Sequence, residues 1–294
     1  MDYIFSFLKN LEFEKRYSFR TVDSYRTDLL QFHEFCNFSS ILQIQLADAT
    51  IIRSWIISCV ESGLENRSVN RKISALKSFF KFLMKDGVIQ KNPMLKVESL
   101  KIRKRLPVFV TDSQICHLFD DIEFGKNFSG FRNRLILEIF YGTGIRLSEL
   151  LNIRINDFDR GKLTLKVLGK RDKERIIPVS MGLVKLVDSY SELRKEEFES
   201  VDNNYLLLTD SGQPLYPKFV YRLVTISLGM VTTLDRRSPH VLRHTFATHM
   251  LNNGAAISAI KELLGHANLA ATQVYTHNSF EKLKNIYNQA HPRA

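Results

Sequence analysis

The chain of 294 residues is long enough for two domains, and its hydrophobic fraction of 44% suffices for a buried core in each. Its 42 lysines and arginines exceed its 31 acidic residues, so the formal net charge of +11 favours a polyanionic partner, either nucleic acid or an anionic membrane surface. No stretch of about 18 apolar residues occurs, which argues against a membrane-spanning helix.

The first residues and the cysteines predict the compartment. Asp2 is followed by a short apolar run without a small-residue cleavage site, so no signal peptide is expected. Cys36, Cys59 and Cys116 are odd in number and lack a CxxC spacing, which predicts neither a disulfide framework nor a zinc ribbon. We therefore expect a reduced, cytoplasmic protein.

Residues 1–97 are predicted to form a helical N-terminal domain, and residues 68–87 contain its clearest helix. Ser68 is a suitable N-cap and Gly87 a suitable stop. Between them, apolar residues recur at spacings of three and four, as on one helix face: Val69, Ile73, Leu76, Phe80 and Leu83.

The other faces of that helix carry basic residues and no acid before Asp86. Such a row is typical both of a solvated helix face and of a surface that contacts phosphates. The candidate phosphate contacts are Arg71, Lys72 and Lys77.

Residues 98–107 are predicted to form an extended basic linker between the domains, bounded by Pro107. Its charge suits a strap across a phosphate backbone, although a plain soluble tether also needs charge. The candidate contacts here are Arg103, Lys104 and Arg105.

Residues 108–294 are predicted to form a second, mostly helical domain with a small antiparallel β-sheet. The stretch FRNRLILEIFYGTGIRLSELLNI indicates a helix, a break at the Gly-Thr-Gly turn and a second helix. Apolar and polar residues then alternate, as in a strand, with the apolar positions at Leu163, Leu165 and Val167. A polar turn and a second short strand around 175–179 complete a predicted hairpin.

Arg146 and Lys170 are the first candidates for a chemical role. Arg146 follows the Gly-Thr-Gly turn, where glycines allow close approach to a ligand and a guanidinium can bind two phosphate oxygens. The alternative is that it caps the helix or pairs with Glu149. Lys170 lies in the hairpin turn and could donate a proton, but turns carry lysines routinely and Lys173 is similarly placed.

The stretch SPHVLRHTFATHML holds two further candidates. Ser238 and Pro239 predict a helix start. His240 and Arg243, three residues apart, then share one face of the helix.

A metal site in this stretch is not favoured. His240 and His244 have the i, i+4 spacing that suits zinc, but the zincin pattern requires glutamate after the first histidine, and Val241 stands there. We interpret His244 and His249 as structural.

The stretch GHANLAATQVYTH contains the last pair, His266 and Tyr275. On one helix they would be separated by roughly 900° of rotation and about 13.5 Å of rise, on opposite faces. Gly265 can end the preceding helix, so we predict that the backbone leaves it between Gly265 and Ala271 and that the two side chains converge. Two arginines, a lysine, two histidines and a tyrosine suit phosphoryl transfer without a metal.

The ordered stretches GTGIRLSELL, LGKRDKERIIPV, SPHVLRHTFATHMLNNGA and LLGHANLAATQVYTH resemble the tyrosine recombinase (phage integrase) family, and within it the Xer type. The N-terminal stretches EKRYSFRTVDSYRTDLLQF and SVNRKISALKSFFKFL resemble that family's core-binding domain. The resemblance implies a two-domain, mainly α protein: a core-binding helical bundle (1–97), the basic linker, and a catalytic domain (108–294).

The resemblance also implies a role for each candidate residue. Tyr275 attacks the scissile DNA phosphate and forms a 3′-phosphotyrosyl link, while Lys170 protonates the leaving 5′-oxygen and His240 assists proton transfer at the tyrosine. The phosphate oxygens are bound by Arg146, Arg243 and His266. Neither a metal nor ATP nor another cofactor is required.

The implied partners are double-stranded DNA and further recombinase protomers. The family works as a tetramer on two duplexes through a Holliday junction, and the C-terminal segment SFEKLKNIYNQAHPRA would dock on a neighbouring protomer. A homo-tetramer, a hetero-tetramer with a paralogue and activation by a DNA translocase all remain open. The Xer-type resemblance implies that the protein resolves chromosome dimers at segregation. The alternatives are a mobile-element integrase, a non-catalytic DNA-binding relative and a metal-dependent nuclease.

Overall fold

The computed structural model describes residues 3–37, 41–102, 108–169, 174–198, 204–265 and 277–294. The chain divides into two compact units, Met1–Arg105 and Leu106–Ala294. Within the described ranges, no helix has the length and apolar character needed to cross a bilayer.

Unit 1 is helical in its described residues. Its α-helices are α1 (Tyr3–Lys9), α2 (Phe19–Cys36), α3 (Ala49–Glu61) and α4 (Asn66–Lys85). Shorter π or 3-10 turns occur at Asn10–Glu14, Ile41–Leu46 and Pro93–Lys96. The core contains edge-to-face aromatic pairs, because α1 packs Phe7 on Phe79 and α2 packs Phe32 on Trp55.

Helix α4 buries the predicted apolar face but begins earlier than expected. All five predicted apolar positions are fully buried. The helix begins at Asn66 after Glu65, so the prediction of Ser68 as N-cap was wrong. In this first turn the Asn66 side chain donates a hydrogen bond to the Lys101 carbonyl (2.9 Å). Gly87, at φ 71°, follows the helix end as predicted.

Lys72 is buried, so the prediction that it contacts phosphate from a basic helix face is wrong. Its side chain points towards α2, with Nζ 3.0 Å from Asp28 Oδ1 and a hydrogen bond to Gln31. Nζ also lies 5.5 Å from the centroid of the Trp55 ring. The basic neighbours of Lys72 suggest an exposed side chain. Lys72 nevertheless lies on the edge of the apolar face, because it stands three residues after the buried Val69.

Arg71 and Lys77 keep exposed surface. The Arg71 side chain is 44% exposed even though it pairs with Asp28 and donates to the Ser24 carbonyl (3.2 Å). Lys77 is partly exposed. These two residues of α4 therefore remain candidates for phosphate contact.

The first part of the predicted linker lies against α4. The Asn70 side chain makes two hydrogen bonds to this segment: it accepts from the Leu100 N–H (2.7 Å) and donates to the Leu100 carbonyl (2.8 Å). Asn66 adds its bond to Lys101. Residues 98–102 thus belong structurally to unit 1. Arg103, Lys104 and Arg105 lie outside the described residues.

Unit 2 combines helices with a small sheet. Its first helices are α5 (Asp112–Cys116), α6 (Phe128–Thr143) and α7 (Leu147–Leu150). The strands β1 (Phe158–Asp159), β2 (Thr164–Leu168) and β3 (Glu174–Pro178) follow. The later helices are α8 (Met181–Glu197), α9 (Pro217–Val231), α10 (Pro239–Asn252), α11 (Ile257–Leu264) and α12 (His277–Ala290).

The three strands form an antiparallel sheet in the order β1-β2-β3, which confirms the predicted hairpin. Leu165 faces Ile177 across β2 and β3, and both are fully buried. The two-residue strand β1 was not predicted because it is too short to show alternation.

Helix α12 packs on its own unit. Leu283, Tyr287 and Ala290 are buried against the unit 2 core. Beyond the helix, His291 stacks on Tyr287 with ring centroids 5.0 Å apart, and Arg293 donates to both carboxylate oxygens of Asp120 (2.9 and 3.0 Å). The C-terminal residues therefore fasten α12 to this unit in the single chain.

Candidate active site

The Gly-Thr-Gly turn connects α6 to α7 through a left-handed residue. Gly144 has φ 60°, and a Cβ there would lie 2.5 Å from Phe246 and 2.7 Å from Leu264. The sequence suggests that glycine at this turn allows a ligand to approach closely. In the structure, the absence of a side chain lets α10 and α11 pack on the turn. Arg146 follows as the N-cap of α7, the position that the sequence offered as the alternative to phosphate binding.

Arg146 is held on one side and open on the other. Its Nη1 donates to Glu149 Oε1 (2.9 Å) and its Nη2 to the Gly265 carbonyl (3.2 Å). The side chain is nevertheless 34% exposed. The sequence offered pairing with Glu149 as an alternative to phosphate binding. In the structure this pairing orients the guanidinium and leaves part of it accessible.

Glu149 is a buried carboxylate between two arginines. Arg175 on β3 donates to Oε1 and Oε2 at 2.9 and 2.8 Å, a bidentate pair. Burial by itself raises the pKa of Glu149, but the hydrogen bonds and charge of Arg175, with bonds from Arg146, outweigh it and lower this pKa to about 2. The carboxylate is thus ionised at any physiological pH.

Arg243 on α10 is buried and spans two backbone segments. Its Nη1 donates to the Gly144 carbonyl (2.6 Å) and its Nη2 to the Leu264 carbonyl (2.8 Å). Burial, and then the nearby charge of Arg146, lower the pKa of Arg243 to about 10. The guanidinium therefore stays protonated at neutral pH, beside a second cation.

The three arginines meet at the C-terminal end of α11. They bind three successive carbonyls there, since Arg175 Nε donates to Leu263 (2.9 Å), Arg243 to Leu264 and Arg146 to Gly265. Helix ends leave such carbonyls without intrahelical partners and carry partial negative charge, so cations stabilise them. Gly265, at φ 63°, ends α11 as the sequence predicts.

Helix α10 places the histidines in different environments. It begins at Pro239, as predicted, and His240 in its first turn is exposed. His249 is buried, with Nδ1 3.0 Å from both the Tyr141 hydroxyl and Asp112 Oδ1 and with Nε2 2.9 Å from the Val110 carbonyl. These contacts fit a structural histidine.

Three predicted site residues lie outside the described residues, namely Lys170, His266 and Tyr275. The elements that flank them are described. Strand β2 ends at Leu168 and β3 begins at Glu174, while α11 ends at Leu264 and α12 begins at His277. The helix preceding His266 therefore ends where the sequence predicts, at Gly265.

The sequence patterns predict no role for Arg175 and offer Glu149 only as an alternative partner of Arg146. A signal for Arg175 was present. On a strand, residues two apart share a face, so Arg175 points to the same side as Ile177, which is buried. An arginine at a buried strand position needs a carboxylate partner, and Glu149 is that partner.

Comparison with known proteins defines the class. The model of the phage integrase family matches residues 109–282, and that of the phage integrase N-terminal SAM-like domain matches residues 4–87. The chain belongs to the phage integrase family. It is a tyrosine recombinase, a site-specific DNA recombinase that cleaves and rejoins DNA.

Within that class the chain is similar to Xer recombinases. It is 38% identical to the tyrosine recombinase XerC of Staphylococcus carnosus, over 98% of this chain and 97% of that protein. It is 34% identical to the tyrosine recombinase XerD of Staphylococcus haemolyticus, over 98% of both. The fold resembles a Tn1549 transposon integrase in complex with transposon right end DNA, with TM-score 0.72 and 22% identity over 96% of this chain and 98% of that one.

Proposed function

We propose that Arg146 and Arg243 bind the scissile phosphate and that Tyr275 attacks it. The observation that supports this is the fixing of both guanidiniums on the carbonyls of Leu264 and Gly265, directly before His266 in the chain. Two cations at one point suit the negative charge that develops on a phosphate in the transition state.

The proposed cleavage has one nucleophile and two proton carriers. The Tyr275 hydroxyl attacks phosphorus, its proton passing to His240, and the bond to the 5′-oxygen breaks. Lys170 gives that oxygen a proton, and the products are a 3′-phosphotyrosyl link and a free 5′-hydroxyl. Attack by the 5′-hydroxyl of the partner strand rejoins the DNA and releases Tyr275, while His266 hydrogen-bonds the phosphate.

Covalent trapping tests the nucleophile. With a DNA duplex nicked beside the cleavage point, the wild type is expected to accumulate a protein–DNA adduct, because the short leaving strand diffuses away. Tyr275→Phe is expected to give none while binding DNA equally, measured by denaturing gel and by filter binding. An adduct with Tyr275→Phe, or cleavage that EDTA abolishes, would contradict the proposal.

For the cellular role, we propose that a tetramer of this chain, alone or with a paralogue, resolves chromosome dimers through a Holliday junction. The support is similarity to Xer recombinases over nearly their whole length. Docking of α12 on a neighbouring protomer remains a prediction. Footprinting on genomic DNA identifies the target site. A DNA circle that carries two directly repeated copies of this site should then resolve into two circles. Exchange only with the DNA of a mobile element would favour an integrase instead.

Salt dependence tests the contacts proposed for α4. If Lys77 contacts a phosphate, Lys77→Ala should reduce the slope of log K against log salt by about 0.9. Lys72→Met should leave that slope unchanged, because the Lys72 ammonium is already engaged with Asp28. Fluorescence anisotropy titrations at several salt concentrations measure both slopes. Equal reductions for the two variants would show that Lys72 leaves its buried site to bind DNA.

A further inference from the structure

Arg175 links three pieces of chain that carry proposed catalytic residues. It lies at the start of β3, five residues after Lys170 in the chain. Its guanidinium binds both oxygens of Glu149, which in turn binds the guanidinium and the backbone N–H of Arg146. Its Nε binds the Leu263 carbonyl, three residues before His266. No other side chain described above connects all three segments.

We assign Arg175 no direct phosphate contact, because all three of its side-chain nitrogens, Nε, Nη1 and Nη2, already donate to protein acceptors and it is only 6% exposed. Its environment is also closed on the side of α11. A Cβ on Gly265 would lie 3.1 to 3.3 Å from Arg175 atoms, so the left-handed glycine allows the helix end to pack directly on the guanidinium.

We propose that Arg175 is a positioning residue for strand cleavage: through Glu149 it fixes the orientation of Arg146, and through Leu263 it fixes the start of the segment that carries His266 and Tyr275. The inference rests on the proposed function, since it assumes that Arg146 binds the scissile phosphate. A bidentate fork is required, because a lysine ammonium cannot bind two carboxylate oxygens and a carbonyl in this planar arrangement.

Arg175→Lys tests the inference because it keeps the charge and removes the fork. At saturating DNA, single-turnover cleavage is expected to fall by on the order of 100-fold, the loss typical of a small misplacement of catalytic groups. The dissociation constant for DNA should stay within about twofold of the wild type. The matched control is Arg132→Lys, since Arg132 is equally buried and binds Asp210 and the Leu208 carbonyl away from the site. It should cleave like the wild type.

A double-mutant cycle separates positioning from general stability. If Arg175 acts through Glu149, Arg175→Lys should slow cleavage much less in a Glu149→Gln background, because residues that act as a unit are not additive. Additive losses, or wild-type cleavage by Arg175→Lys, would overturn the inference. So would loss of folding in both single variants, checked by circular dichroism and melting, since the pair would then hold the fold rather than the site. If the wild type itself forms no adduct, the proposed function fails instead.

Discussion

Replacing Arg243 by alanine should lower the rate of covalent adduct formation by on the order of 1,000-fold. The change removes a proposed phosphate ligand and also the only described side chain that joins the Gly144 carbonyl to the Leu264 carbonyl. Two buried acceptors are left without that donor, so the turn and the end of α11 should also shift apart. Rapid-quench cleavage of a nicked duplex with enzyme in excess measures the rate.

The control for Arg243→Ala is Arg132→Ala, which removes a buried arginine of the same unit. Arg132 stacks near Phe219, with its guanidinium carbon 4.7 Å from the ring centroid, and binds Asp210. Both variants should lose stability, but only Arg243→Ala should lose cleavage under conditions where the protein is folded. Equal cleavage by the two variants would remove Arg243 from the proposed machinery.

Replacing Glu149 by alanine should lower the free energy of unfolding of unit 2 by about 3 to 5 kcal/mol, the usual cost of leaving a buried partner charge unpaired. The partner is Arg175, whose side chain is 6% exposed. Denaturant titration followed by far-UV circular dichroism measures the loss. Trp55, the only tryptophan, lies in unit 1, so its fluorescence follows the unfolding of that unit separately. Glu192→Ala, an exposed change on α8, should have a negligible effect.

The same carboxylate predicts a pH dependence. The pKa of Glu149 is lowered from 4.5 to about 2 in the folded protein. A lowered carboxyl pKa contributes stability that is complete above the unfolded value of 4.5 and is lost as the pH falls towards about 2, roughly 3 kcal/mol in all. The difference in unfolding free energy between the wild type and Glu149→Gln should therefore shrink over this range. A difference that stays constant from pH 6 to pH 3 would contradict the shift.

Local patterns were sufficient for most of the elements described. The apolar face of α4, the helix–glycine–helix around Arg146, the hairpin and the start of α10 at Pro239 follow from spacing and from the preferences of glycine and proline. The end of α11 at Gly265 was predictable for the same reason. These features depend on residues within one or two turns of each other.

Predictions failed where the partner lies far away in the chain. Lys72 belongs to a basic row by its neighbours, yet Asp28 on α2, 44 residues earlier, removes it from the surface. Helix α4 begins at Asn66 rather than after Ser68, and the Asn66 side chain binds the Lys101 carbonyl, 35 residues later in the chain. Helical periodicity cannot report such contacts, because a charged residue beside an apolar stripe is compatible with either environment.

By itself the sequence determined the class of chemistry and the local elements, since ordered motifs and short-range preferences are properties of the chain. It placed His240 and Arg243 on one helix, which is α10, and Arg146 directly before another, which is α7. Only the tertiary structure decided that Arg146, Arg243 and the unassigned Arg175 meet on three successive carbonyls around one carboxylate. Long-range packing sets that meeting, because a buried charge must find its counter-charge wherever the fold brings one.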